Sequence, residues 1–275
     1  MLKRILYFLC FALLMTVLGA CSNEDDVQSS SGEGPTITIS GSTSVGPLAE
    51  KLAVAYEEQN NSNIEVNQIG SSAGITNAIN GVSQIGMSSR DLKEEEVADG
   101  IEEIAIAYDG IVVVTHPTNT VQDITMEQVK QIFTGEVTNW KELGGEDLEI
   151  VVVSREDGSG SRDAFQEIVD YRSSELIKNA IIASGNGNIK TTVATNKHAV
   201  GFISFEYIDE TIAPLQIDGV EPTAKNVLDG HYTLSRPFLF VYKNLTENGQ
   251  QFIDYIMSDA GQEIVAETGA IPVNQ

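Results

Sequence analysis

From Thr36 onward the chain switches repeatedly between two spacings of apolar residues, one suited to strands and one to helices. Ile37 and Ile39 alternate with threonines as in a strand, and Val45, Leu48, Leu52 and Ala55 then recur at helical spacing. Glu65 to Ile69 reads as a second strand, followed by Ile75, Ile79 and Val82 at helical spacing. Ile104 to His116 is a long apolar strand region. Thr125-Met126-Glu127-Gln128 has the form of a capping box and opens a helix that buries Val129, Ile132 and Phe133. The run Leu148 to Val153 predicts a strand buried on both faces. Ala164, Phe165, Ile168 and Val169 form the next helical face, and Ala199 to Phe205 and Pro237 to Tyr242 read as strands. A closing helix, broken near Ser258, carries Phe252, Ile253, Ile256, Ile264 and Val265. Strands alternating with helices predict an α/β architecture with mainly parallel sheets.

The first residues follow another logic. Lys3 and Arg4 precede the apolar run Ile5 to Leu18, too short for a membrane-spanning helix but suited to a signal peptide over residues 1–20. Leu18-Gly19-Ala20-Cys21 resembles the bacterial lipobox, which implies cleavage before Cys21 and a lipid on its sulfur. Residues 21–34 then form the lipidated cysteine and a polar, Ser- and Gly-rich tether that lacks the apolar surface to order itself. The expected location is the extracytoplasmic face of the cell membrane, held to the bilayer through Cys21.

Composition narrows the chemistry. Forty acidic residues against 16 basic ones, a formal charge of −24, disfavour nucleic acid as a partner. Both cysteines, Cys10 and Cys21, lie at the start, so the folded part has no thiol for a disulfide, a zinc-thiolate site or a nucleophile. His116, His198 and His231 are widely spread, which argues against a histidine metal cluster and favours structural or exposed roles. No cofactor is expected. Trp140 is expected to pack within a core, and the acidic stretch Asp91 to Glu96 to form a solvated face.

The chemistry that remains sits in serine-rich turns between strand and helix. These are Ser40-Gly41-Ser42-Thr43-Ser44, Gly70-Ser71-Ser72-Ala73-Gly74 and Arg155-Glu156-Asp157-Gly158-Ser159-Gly160-Ser161, with a weaker fourth at Gly86-Met87-Ser88-Ser89-Arg90. A helix N-terminus offers unpaired amides and a partial positive charge, so it attracts anions. Hydroxyls add donors that rotate to fit an oxygen, and arginine adds charge-assisted bonds. One such turn is ordinarily a helix cap. Several in one chain, one of them with an arginine, point to a site for a small tetrahedral oxyanion. A P-loop does not fit, since no Gly-Lys-Ser/Thr follows the glycines of these turns.

These turns, together with Glu127 to Trp140, Pro237-Phe238 and the ending Gly269-Ala270-Ile271-Pro272-Val273, resemble the substrate-binding lipoproteins of phosphate-specific ABC importers. The likeness runs from about Ile37 to Val273. It implies a two-lobe periplasmic-binding-protein (type II) fold, with doubly wound mixed sheets and a hinge. Lobe 1 would comprise residues 35–114 plus 232–275, and lobe 2 residues 115–231. It also implies a monomeric binding protein, not an enzyme, that captures inorganic phosphate between the lobes and delivers it to a membrane permease. In this pattern Ser42, Thr43, Ser44, Ser71 and Ser72 supply donors from lobe 1. Arg155 salt-links the phosphate, Asp157 orients that arginine, and Ser159, Gly160 and Ser161 are donors from lobe 2. Ser89 stands where well-known members carry an aspartate, so it can accept a ligand proton only through an uncharged hydroxyl. Arg90 beside it either adds a second cation or pairs with Asp91 or Glu94; Arg162 either pairs with a nearby carboxylate or reaches the phosphate. The loss of charge at Ser89 leaves another tetrahedral oxyanion, sulfate or molybdate, as the alternative ligand.

Overall fold

The computed structural model describes residues 34–274; the expected signal peptide, Cys21 and the tether up to residue 33 lie outside the described residues. In chain order the first elements are β1 (Thr36–Gly41), α1 (Gly46–Glu57), β2 (Asn63–Gln68), α2 (Ser71–Ile79), β3 (Ile85–Ser88), α3 (Glu94–Ala98) and β4 (Glu102–Thr115). There follow β5 (Asp123–Ile124), α4 (Met126–Thr134), β6 (Val151–Arg155), α5 (Gly160–Val169), β7 (Ile181–Ala183), α6 (Gly185–Thr195) and β8 (Ala199–Ser204). The chain ends with β9 (Ala213–Pro214), β10 (Gln216–Ile217), α7 (Ala224–Leu228), β11 (Ser235–Tyr242), α8 (Glu247–Met257) and α9 (Asp259–Glu267). None of the helices among the described residues is long and apolar enough to cross a membrane.

Local sequence accounts for the ends of these elements. The Thr125 hydroxyl accepts from the Gln128 amide at 3.1 Å while the Gln128 side chain accepts from the Thr125 amide at 2.8 Å, which is the expected capping box. The break near Ser258 is a cap as well: extended backbone at Ser258 ends α8, and its hydroxyl accepts from the Gly261 amide to open α9. Two expectations shift. Helix α2 stops at Ile79, and Val82 lies beyond a left-handed turn at Gly81 and is exposed. Strand β6 begins at Val151, and Leu148 packs against the core ahead of it. Strand β3 went unread because its four residues are too few to set a period apart from the serine-rich turn that follows.

The sheet order is β2-β1-β3-β11-β4-β8-β6-β7, with β9 also on β4, and β10 pairs β5 separately. Pairing is parallel among β1, β2 and β3 and among β6, β7 and β8, but antiparallel wherever β4 or β11 takes part. The mainly parallel expectation therefore holds for the flanks and fails at the middle, giving a mixed sheet. Strand β4 belongs to both halves: Glu102 to Gly110 pair with β11, and Ile111 to Thr115 pair with β8.

Each half-sheet is covered on both faces. Ile37, Ile39, Met87, Phe238 and Phe240 pack against α1, α8 and α9, and Leu239 and Val241 face Ile75 and Ala78 of α2 on the other side. In the second half Ile111 and Val113 join a core with Phe133, Trp140, Phe165 and Phe202, while Val112 and Val114 face Val153, Ile189 and Ile203. Ile111 to Val114, Tyr232 and Leu234 thus pack with the second half, although the sequence boundaries put them in the first; a strand shared by two cores gives the pattern no break to mark. The chain enters and leaves the second half at one place, where the Ile111 amide donates to the Leu234 carbonyl at 2.8 Å.

Beside that crossing lies a buried ion pair, Asp109 of β4 with Arg236 of β11 at 2.9 Å. Burial pushes Asp109 up and Arg236 down to about 10, while each offsets the other's desolvation. The second Asp109 oxygen accepts from the Phe205 amide at 3.2 Å, tying β8's end to the same carboxylate. Removing one partner of such a pair strands the other charge. Asp109→Asn should therefore lower stability by roughly 3–5 kcal/mol, read from the urea midpoint; an unchanged midpoint would mean that Arg236 has another counter-charge.

Candidate functional site

The parallel strands deliver their carboxyl ends to one seam between the half-sheets, as doubly wound sheets do. Ser42, Thr43 and Ser44 follow β1, Ser71 opens α2, and Ser89 follows β3. From the second half come Arg155 at the end of β6, Gly160 and Ser161 at the start of α5, and Asn186 in the first turn of α6. These residues are buried, Thr43 only partly.

Their hydroxyls meet. Ser44 Oγ and Ser161 Oγ lie 2.7 Å apart across the seam. Ser89 Oγ is 3.5 Å from Ser161 Oγ and 3.4 Å from Ser71 Oγ, and its amide donates to Ser71 Oγ at 3.2 Å. Ser42 Oγ accepts from the amides of Ser44 and Val45 and donates to Ser89 Oγ at 2.9 Å. Gly160 is required here by space: a Cβ would stand 2.3 Å from Ser71 Oγ and 2.9 Å from Ser89 Oγ. The seam is closed further by the Ser72 amide donating to the Gly158 carbonyl at 3.2 Å and by Arg155 donating to Thr43 Oγ1 at 2.9 Å.

The three arginines part company. Arg155, 1% exposed, is clamped by Glu156 through two bonds of 2.8 and 2.9 Å. Burial opposes ionisation of Glu156, but the Arg155 guanidinium outweighs it and holds the carboxyl below its usual value. Asp157, expected to orient Arg155, instead bonds Arg162 at 2.6 Å and is 97% exposed. The cause is the turn: Glu156 faces inward, where it also accepts from the Gly185 amide at 3.2 Å, and the next residue is left pointing to solvent. Arg162 meets the nearby-carboxylate expectation and donates to the Arg155 carbonyl as well.

Arg90 corrects both expectations for it. It is 3% exposed, and its guanidinium binds Glu96 at 2.8 Å through two nitrogens and Asp163 of the opposite half at 3.1 Å. It is a cross-seam link rather than a cation free for a ligand, and its partners are neither Asp91's carboxylate nor Glu94. Ser72 is drawn to it, accepting from Arg90 at 3.4 Å, instead of joining the hydroxyl cluster. The Ser159 side chain is a helix cap, accepting from the Arg162 amide at 3.3 Å. Sequence reading missed Glu156, Tyr207, whose hydroxyl donates to the Thr43 carbonyl at 3.4 Å, and Asn186, which donates to Ser44 Oγ at 2.9 Å. Asn186 carried a signal: Ser184-Gly185-Asn186-Gly187 is one more glycine-rich turn between strand and helix.

Two α/β halves meeting on a seam of hydroxyls, helix starts and one clamped arginine define a solute-binding protein of the two-lobe periplasmic type. The model of the PBP superfamily domain matches residues 26–260. The phosphate-binding protein PstS of Bacillus subtilis is 32% identical, covering 98% of this chain and 94% of its own. A crystallised Clostridium perfringens protein, assigned as a phosphate ABC transporter substrate-binding protein and holding bound phosphate, is 56% identical, with a TM-score of 0.86 over 87% of this chain and all of that one. An ABC-type phosphate transport receptor from Vibrio cholerae is 36% identical, with a TM-score of 0.75 over 86% of this chain and 99% of its own. The chain belongs to the phosphate ABC transporter substrate-binding proteins of the PBP superfamily.

One carboxylate near the seam is out of balance. Glu206 lies between Phe205, whose amide is held by Asp109, and Tyr207, and its Oε1 is enclosed without a protein partner. Burial, reinforced by Asp109, raises its pKa from 4.5 to about 8. A group that keeps its proton longer when folded contributes full stability below its unfolded pKa and loses it as pH rises through the folded one. The melting temperature of Glu206→Gln minus that of the native chain should therefore grow between pH 4.5 and pH 8. A difference independent of pH would show that Glu206 ionises freely.

Proposed function

We propose that this protein captures inorganic phosphate between its two lobes and delivers it to the membrane permease of an ABC importer, as a monomer and without catalysis. The observation that carries the reading is the convergence of Ser44, Ser71, Ser89 and Ser161 with Arg155 on one buried seam, drawn from both halves. Thr43, Ser44, Ser71, Ser89, Arg155, Gly160 and Ser161 are the groups to meet the anion. Ser42 stands behind Ser89, Glu156 orients Arg155, and Ser72, Arg90, Ser159 and Asp157 serve the surrounding structure. The lobes in this reading divide near Gly110 and Ser235, at the crossings between the cores. The bound phosphate in the C. perfringens relative supports the ligand.

Neutral donors can hold a divalent anion because each bond costs the ligand's hydration once and is repaid in a site that water no longer screens. Arg155 adds the charge-assisted bond, and Glu156 keeps it in place. An uncharged Ser89 does not repel sulfate as a carboxylate would. Competition by sulfate at pH 6 and pH 8 tests this, because only phosphate changes its protonation over that range. Arg155→Ala should weaken phosphate binding by about 1.5–3 kcal/mol, measured by titration calorimetry. Native affinity in that variant would remove Arg155 from the site, and a native chain that binds sulfate but not phosphate would replace the ligand.

The location belongs to the same reading. Lys3-Arg4, the apolar run and Leu18-Gly19-Ala20-Cys21 support cleavage before Cys21 and a lipid there, placing the lobes on the extracytoplasmic face of the membrane. Cys21→Ala should shift the protein from the membrane to the soluble fraction; a variant that stays anchored would point to another attachment.

A further inference from the structure

The hydrogen bonds around Asn186 can be given directions, because two of its partners act in only one way. The Ser204 amide and the Arg155 guanidinium are donors only. Both reach Asn186 Oδ1, at 3.3 and 3.5 Å. That fixes the side-chain amide, so its Nδ2 faces the opposite way and donates to Ser44 Oγ at 2.9 Å. Ser44 thus has a lone pair filled from behind and keeps its own proton for what lies in front.

Ser89 is arranged alike. Ser42 Oγ accepts from two backbone amides, which uses its lone pairs and sends its proton to Ser89 Oγ. Two of the central hydroxyls, one at the end of β1 and one at the end of β3, are therefore backed by a donor. In the case of Ser44 the donor crosses the seam from α6 and is itself held by the arginine of β6. Asn186 is 1% exposed, so this amide is shielded from competing water.

We propose that Asn186 is a positioning residue for oxyanion binding: held by Ser204 and Arg155, it orients Ser44 to present a proton, not a lone pair, to the anion. This rests on the phosphate-binding reading. Asn186 thereby joins the guanidinium and a lobe 1 hydroxyl into one unit that completes itself only when the lobes meet.

The test is titration of inorganic phosphate into the native chain, N186A, N186D, S44A and the paired variants, from pH 5 to pH 8. N186A should lose roughly tenfold in affinity, the value of one hydrogen bond, by the same factor at every pH. N186D keeps the acceptor for Ser204 and Arg155 but turns an acceptor and a negative charge toward Ser44. Its affinity should fall below that of N186A from pH 5 to pH 8, because the Arg155 guanidinium and the Ser204 amide hold the new carboxyl ionised. Taking each variant as a ratio to the native chain removes the titration of phosphate itself. S44A and N186A together should cost less than the sum of the two alone. Should N186A fail to fold, the affinity of N186D and the S44A–N186D pair read the same coupling. Native affinity in folded N186A, an N186D affinity no lower than that of N186A, or additive pairs would overturn the role of Asn186 while leaving phosphate binding intact. A native chain with no affinity for phosphate would overturn both readings.

Discussion

Burying a seam of alcohols, amides and charges is costly unless most of its groups find partners, since an unpaired one costs more than a made bond returns. That constraint governs this molecule. Ser44 and Ser161 sit far apart in sequence and touch at 2.7 Å. The contact exists only because β1 and β6 each end in a turn that aims a helix start at the same line. The core packing behind these strands, with Ile37 and Ile39 on one side and Val152 and Val153 on the other, serves to hold those ends in register.

Charge in the site is balanced locally. Each arginine of the seam has a carboxylate of its own: Glu96 and Asp163 for Arg90, Glu156 for Arg155, Asp157 for Arg162. An anion entering such a site meets little net positive charge, so selectivity passes to the directions of the hydrogen bonds. This suits a protein with a formal charge of −24, whose long-range field gives no help in drawing anions in. The donors act at contact distance, where the field of the rest of the chain is screened.

The sequence made the elements and the turns legible, because apolar spacing and Ser/Gly clusters are local properties. Ser44, Ser71, Ser89, Ser161 and Arg155 could be grouped from such clusters alone, and their meeting in space follows from strand ends sharing one edge. Partner choice was another matter. Glu156 and Asp157 are adjacent acids, and only the direction of the turn decides which one faces Arg155. Arg90 had acids close by in sequence, yet it took Glu96 and, from the other half, Asp163. The antiparallel middle of the sheet was hidden as well, since β4 reads as one apolar strand whichever neighbours it takes.

The pairing of Ile111 with Leu234 gives the second half a single doorway. Everything between those residues forms a closed excursion whose cores need nothing from the strands outside it. The first half is less fortunate, because β11, with Phe238 and Phe240, stands between β3 and β4 and is among the last segments in the chain. The two halves thus differ in what they ask of the chain: the excursion closes on residues of its own, whereas the outer half is complete only with the carboxyl-terminal segment in its central position.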